Sequence, residues 1–313
     1  MADKMATREA YGRALAEFGA KYENLVVLDA DLAEATKTGT FKKAFPDRFF
    51  DCGIAENNMI CVAVGLALSG KIPFASSFAM FAAGRSYEQV RNAVGYPHVN
   101  VKIGATHAGI TVGEDGATHQ CCEDIALMRT IPGMTILNPA DAVEARLAVE
   151  AAIRMQGPCY LRFGRMAVPI LFDDSYRFEI GRGVKMADGT DVTLVATGIE
   201  VEQALLAREL LAAENISASV VNIHTIKPLD AELITAEAQR TGAIVTCEEH
   251  TVIGGLGGAV AECLAERCPV PVLRIGIQDT FGRSGPAKEL VSYFGLDAAA
   301  IAEKAKAAVA LKK

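Results

Sequence analysis

Residues 72–105 read IPFASSFAMFAAGRSYEQVRNAVGYPHVNVKIGA, and this stretch decides the fold class. Its opening six residues, 72–77, predict a buried strand. Residues 80–94 show apolar side chains at helical spacing, and 99–105 read as a second strand. Strand, helix and strand in immediate succession form a βαβ unit, and such units build a mostly parallel sheet.

Working outward, the same rhythm recurs. Helical spacing over 7–22 precedes a short buried strand at 25–28. Residues 49–52 read as a strand, and 55–68 as a helix stopped by Ser69-Gly70. Downstream, 123–129 (helix), 134–137 (strand), 141–154 (helix) and 159–162 (strand) continue the alternation. Residues 164–189 break it: Pro169, four glycines and the polar run Asp173-Asp174-Ser175 predict an interdomain linker. Strands at 191–196, 217–223, 243–247 and 270–275 then alternate with helices at 200–213, 230–239 and 257–267. We expect two consecutive three-layer α/β domains with mostly parallel sheets, over 1–170 and 189–313, joined by a linker at 171–188.

The composition agrees with this class. The chain has 313 residues, too many for one ordinary core. Trp is absent and aromatics make up 6%, so Ala, Val, Ile and Leu must fill the interior, as α/β layers allow. A net charge of −7 gives no basic footprint for nucleic acid. None of the eight cysteines forms a C-x-x-C pair, and several sit in apolar runs such as Met59-Ile60-Cys61-Val62-Ala63, so they read as small buried hydrophobes. No apolar leader and no window of 18 apolar residues is present, so we expect a cytoplasmic protein without a membrane segment.

Beyond the second strand of the opening unit lies ATHAGITVGEDGATHQCC, residues 105–122, with two of the five histidines. The histidines stand twelve residues apart across flexible glycines and the cysteines are adjacent, which is poor spacing for a metal. The loop does follow the C-terminal end of a strand, where parallel sheets bind ligands. Two imidazoles and a carboxylate there are suited to gripping a polyhydroxylated substrate. Glu56 stands in the first turn of an otherwise apolar helix, where it stabilises the helix dipole or, under a ligand, exchanges a proton with it. Phe78 and Phe81 stand at another strand-to-helix junction, able to face a flat ring or to join the core. Gly254-Gly255-Leu256-Gly257-Gly258 lacks the spacing of a dinucleotide turn, so its glycines read as room for close helix–sheet packing.

Together DADL (29–32), GIAENNM (53–59), SSFAMFAAGRSYEQVRN (76–92), ATHAGITVGEDGATHQ (105–120), NPADA (138–142) and EEHTVIGGLG (248–257) resemble the second half of transketolase. That half comprises a pyrimidine-binding domain followed by a C-terminal domain. The resemblance implies thiamin diphosphate as cofactor and transfer of a two-carbon ketol unit between sugar phosphates. It matches Glu56 to the glutamate that bonds N1′ of the aminopyrimidine and favours the 4′-imino form, which takes the C2 proton. Phe81, with Phe78 beside it, matches the aromatic wall of the pyrimidine, and Asp31 a cofactor contact. His107 and His119 match catalytic and sugar-hydroxyl contacts, together with Asp115. Arg8 and Arg162 match the arginines that bind the sugar phosphate.

The departures carry information too. A phosphate-binding serine of the family falls at Ala35, an aromatic residue at Gly84 and an aspartate at Ala108, as in relatives made from two chains. The G-D-G…Asn motif that holds Mg²⁺ or Ca²⁺ and the diphosphate is missing; the nearest strings are Glu114-Asp115-Gly116 and Ala187-Asp188-Gly189. We therefore expect an N-terminal partner chain to carry that motif in an α2β2 assembly, and expect no metal ligand here. Rival readings are a β subunit of a 2-oxoacid dehydrogenase, a deoxyxylulose-phosphate synthase fragment, or a silent regulatory paralogue. The segment 185–313 offers no catalytic cluster: His224 and His250 read as structural, and Glu248-Glu249-His250 as a candidate subunit interface.

Overall fold

A computed structural model describes residues 3–173 and 175–312; Met1, Ala2, Asp174 and Lys313, which the expected domains and linker include, lie outside them. The first half runs β1 (Lys4–Ala6), α1 (Thr7–Gly19), β2 (Leu25–Asp29), α2 (Ala33–Thr36), α3 (Gly39–Ala44), β3 (Phe49–Asp51), α4 (Glu56–Leu68) and β4 (Ile72–Phe78). It continues through α5 (Tyr87–Gln89), β5 (Lys102–Thr106), α6 (Asp124–Arg129), β6 (Thr135–Leu137), α7 (Ala142–Arg154), β7 (Cys159–Arg162) and β8 (Ala167–Pro169). The second half has β9 (Val184–Ala187), β10 (Val192–Ala196), α8 (Glu200–Ala213), β11 (Ala218–Asn222), β12 (Thr225–Lys227) and α9 (Ala231–Thr241). Then follow β13 (Ile244–Thr251), α10 (Leu256–Arg267), β14 (Val272–Ile277), α11 (Ala287–Tyr293) and α12 (Ala298–Ala310).

Both halves are sheets covered by helices on two faces. The first sheet has the order β12-β6-β7-β5-β4-β2-β3 and is parallel except for β12. Side chains alternate along each strand, so β2 sends Val26 and Leu28 to one face and Leu25 and Val27 to the other. The first pair meets Met59 and Ile60 of α4; the second meets Leu15 and Phe18 of α1 and Val149 of α7. The second sheet, β14-β13-β10-β11-β9, is parallel except for β9. There Leu194 packs toward α8 and α12, and Val195 toward α9 and α10. Two cores per sheet are what three layers require.

Three features depart from the expected pattern. The stretch read as linker contains β9, which pairs with β11, and β8 pairs antiparallel with β1. β12 leaves the second half and adds an edge to the first sheet, and Lys227 Nζ donates to the carbonyls of Arg129 and Ile131 at 2.8 and 2.7 Å. The helix expected over 80–94 is instead two π-helical turns, Met80–Arg85 and Val90–Gly95, around α5. Wider turns advance the side chains out of α register and commonly accompany function. Cysteine burial also divides: Cys121, Cys122, Cys159 and Cys247 are buried, whereas Cys61 is exposed on α4. Among the described residues no helix is long and apolar enough to cross a membrane.

Candidate active site

The C-terminal ends of β2, β4, β5 and β7 open onto one region. β4 ends in Phe78, and the π-helical turn after it stacks Phe81 against it, ring centroids 5.8 Å apart and ring planes nearly parallel. The same turn directs Arg85 over Phe81, 4.7 Å from the ring centroid, and Arg85 Nη1 donates to Glu56 Oε2 at 2.7 Å. Glu56 is buried in the first turn of α4, while Arg85 is half exposed. An aromatic floor beside a buried carboxylate is therefore assembled from two segments, β4 with the turn after it and the start of α4.

His107 also stacks on Phe78, with ring centroids 3.8 Å apart. It follows β5 with a left-handed backbone (φ 56°), a conformation non-glycine residues rarely hold outside functional or tightly determined sites. Arg8 Nη1 lies 3.1 Å from His107 Nε2, and Thr106 Oγ1 lies 2.9 Å from Nδ1. A guanidinium only donates, so Nε2 accepts and the ring proton sits on Nδ1. Burial first, then the positive charges of Arg8 and Arg165, push the His107 pKa down to about 3. The imidazole is thus neutral, with a single tautomer. His119 returns edge-on to Phe81 at 5.5 Å, its Nδ1 3.0 Å from Thr118 Oγ1.

Cations gather around His107. Arg8 is tied at 2.6 Å to the carbonyl of Ala35, the position where a hydroxyl was expected. Lys37 and Arg165 each add positive charge felt by the His107 ring. Beneath them Asp29 organises the 31–38 turn: it accepts the hydroxyls of Thr36 and Thr38 at 2.7 and 2.8 Å and the backbone N–H of Leu32 at 2.7 Å. Burial raises the Asp29 pKa to about 6. Asp31, exposed and left-handed (φ 61°), donates its backbone N–H to Asp51 and lines an open cleft of about 630 Å³ with Leu32, Glu34 and Ala35. Asp115 is exposed, 3.9 Å from Arg165.

Arg162 must be corrected. Its side chain is 4% exposed and pairs through Nε with Asp124 at 2.8 Å, while Nη2 donates to the carbonyl of Glu249 at 2.9 Å. It joins the two halves of the chain and has no face toward a sugar phosphate. Arg165, three residues on, is one-third exposed beside Asp115 and donates to the carbonyl of Val112. The signal was present: Arg162 ends a fully buried strand, whereas Arg165 follows Gly164 in the loop past that strand, where ligands bind. Lys37 and Arg85 were also missed, because only the turn conformation and the π-helical register bring them in.

The Glu248-Glu249-His250 run is not on an outer surface. It lies within β13, which extends further than expected, and all three side chains are buried inside the chain. Glu248 accepts the backbone N–H groups of Leu256 and Gly257 at 2.6 and 2.8 Å, so it fills the N-terminus of α10 that a nucleotide phosphate would need. A Cβ at Gly255 or Gly257 would collide with Glu248 and Thr246, which explains those glycines by close packing.

Comparison with known proteins agrees with this anatomy. Residues 3–170 match the family model of the transketolase pyrimidine binding domain, and 181–301 that of the transketolase C-terminal domain. A Methanocaldococcus jannaschii chain, provisionally named a transketolase C-terminal section, is 53% identical over 95% of this chain and 94% of its own. A 6-deoxy-6-sulfo-D-fructose transketolase subunit of Clostridium sp. is 44% identical, covering 95% and 92%. Human transketolase is 38% identical over 96% of this chain, which spans 48% of that enzyme. Among solved structures, a split gene transketolase, an inactive β4 tetramer, superposes with a TM-score of 0.93 at 51% identity, covering 99% of this chain and all of that one. With both of its halves matched in order and its sheet-edge residues gathered into one site, the chain belongs to the transketolase family and comprises the pyrimidine-binding and C-terminal domains.

Proposed function

We propose that this chain is the C-terminal half of a two-chain, thiamin-diphosphate-dependent transketolase that moves a two-carbon ketol unit from a ketose phosphate to an aldose phosphate. The observation that carries this reading is the adjacency of two surfaces. One is the Glu56–Phe78–Phe81 floor, and the other the grip made by Arg8, His107, His119 and Arg165. The floor fits an aminopyrimidine once half-exposed Arg85 moves aside: Phe81 then offers a ring face, and Glu56 a buried carboxylate to hold a proton at a ring nitrogen. When bound, the cofactor supplies the electron sink for carbon–carbon cleavage. Neutral His107, with Nδ1–H engaged by Thr106, presents Nε2 as an acceptor for a sugar hydroxyl once Arg8 turns to the phosphate.

The diphosphate has no seat here in this reading. Among the described residues no group of three or more His, Cys, Asp or Glu could hold a metal ion. We assign the Mg²⁺ or Ca²⁺ and the diphosphate to an N-terminal partner chain with the G-D-G…Asn motif, in an α2β2 assembly in the cytoplasm. The similar split gene transketolase, an inactive β4 tetramer, supports that requirement.

The test is reconstitution with a diphosphate-binding partner, thiamin diphosphate and Mg²⁺, followed by ketol transfer from ketose phosphates. The complex should be active and this chain alone inactive. Glu56→Ala should lower kcat by about 10²–10⁴-fold, as for loss of a general acid–base group. An unchanged rate in that variant would discard the role of Glu56. A complex that accepts only sulfonated ketoses would move the donor class toward that of the Clostridium relative.

A further inference from the structure

The loop that carries His107, Asp115 and His119 turns at three left-handed glycines, Gly109, Gly113 and Gly116 (φ 79°, 85° and 78°). Every one of them abuts the C-terminal domain. A Cβ on Gly109 would collide with the Glu249 side chain, and one on Gly116 with Ser284 Oγ. One on Gly113 would sit 3.3 Å from the carbonyl of Gly285. The left-handed backbone favours glycine at all three points, and the close approach adds to that at Gly109 and Gly116.

Two polar side chains lock the loop in that position. Glu249, at the heart of β13, accepts the backbone N–H of Thr111 at 2.7 Å. Gln120 Nε2 donates to the carbonyls of Ile110 and Gly113 at 3.0 and 3.2 Å, and to that of Arg283 at 2.9 Å. Gln120 is 3% exposed and Glu249 likewise, so water does not compete for these bonds. The cofactor floor is built otherwise: Glu56, Phe78, Phe81 and Arg85 bond and stack among first-domain residues.

We propose that Glu249, with the 283–285 segment, acts as a set of positioning residues through which the C-terminal domain holds the sugar-binding loop in its binding shape. The proposal rests on the functional reading above and gives the C-terminal domain a definite task. Glu249 touches no sugar; it works through Thr111, four residues from His107. Ordinary domain packing would affect cofactor and sugar alike, whereas this clamp bonds the 109–116 turn, between the two histidines that pack on Phe78 and Phe81, and makes no bond to the floor itself.

Two measurements on Glu249→Ala and Glu249→Gln test it. The first is hydrogen exchange of the 109–116 amides in this chain by itself. Glu249→Ala should speed exchange there by about tenfold or more, the loss of one charge-assisted hydrogen bond, and Glu249→Gln, which keeps an acceptor oxygen, should stay near the parent. The second is kinetics of the assembled two-chain enzyme with a ketopentose phosphate. Glu249→Ala should raise KM by about tenfold or more while the Kd for thiamin diphosphate with Mg²⁺ stays within about twofold. Unchanged loop exchange in Glu249→Ala overturns the clamp, as does a cofactor Kd that rises in step with KM. If the loop loosens as expected but the parent complex transfers no ketol unit, the clamp stands and the functional reading falls.

Discussion

Two regions of this molecule gather charged side chains, and they are built on opposite terms. At the interdomain seam Asp124, Arg162, Glu248, Glu249 and His250 are all buried, and their bonds are to one another, to the Tyr160 hydroxyl or to backbone. At the candidate active site Arg8, Arg85 and Arg165 are partly exposed, each bonded within the protein through only part of its guanidinium. A charge enclosed together with its counter-charge holds architecture; one with capacity left over at the C-terminal edge of a parallel sheet is available to a ligand.

The pair Arg162 and Arg165 tests that distinction most sharply. Arg162→Ala leaves Asp124 buried without its cation and should cost about 3–5 kcal/mol of stability, read as a large fall in urea midpoint. Arg165→Ala should leave the midpoint within about 0.5 kcal/mol but raise KM for a phosphorylated ketose by about 10- to 100-fold, the worth of a charge-assisted hydrogen bond. The same ketose without its phosphate should show little change. Equal loss of stability in both variants would break the comparison.

A smaller effect probes the seam by pH. Glu200 is fully buried with neither carboxylate oxygen bonded, and burial followed by the charges of Glu249 and Asp297 raises its pKa well above 4.5. The folded chain therefore holds a proton there that the unfolded chain releases above about pH 4.5. Stability from this group is full below that value and declines as pH rises toward the folded pKa. Glu200→Gln should remove that decline, so the Tm difference between pH 5 and pH 8 should narrow relative to the parent. A difference that stays the same would show that Glu200 does not carry the proton.

The same contrast explains what could be read beforehand. Strand–helix alternation and the stretches around Glu56, Phe78 and His107 were legible because period and motif are local properties. Arg162 was misassigned because two arginines stand in Leu161-Arg162-Phe163-Gly164-Arg165, and only burial separates them. The run 171–188 was read as linker because Pro169 just before it, its two glycines and the polar run 173–175 mask a short edge strand, yet β9 pairs with β11 through backbone groups that composition does not report.

By itself the amino-acid sequence determined the α/β class, the order of the two domains, their family and the stretches that carry chemistry. Each of these depends on residues close together along the chain, where hydrophobic period and motif spacing act directly. Tertiary structure alone decided which arginine faces the site and which tautomer His107 adopts. It also decided that β12 crosses to the first sheet, and that Glu249 reaches Thr111 over 138 residues of sequence. The physical reason is that burial and partner geometry arise only when distant segments meet, and those two quantities set whether a charge is structural or available.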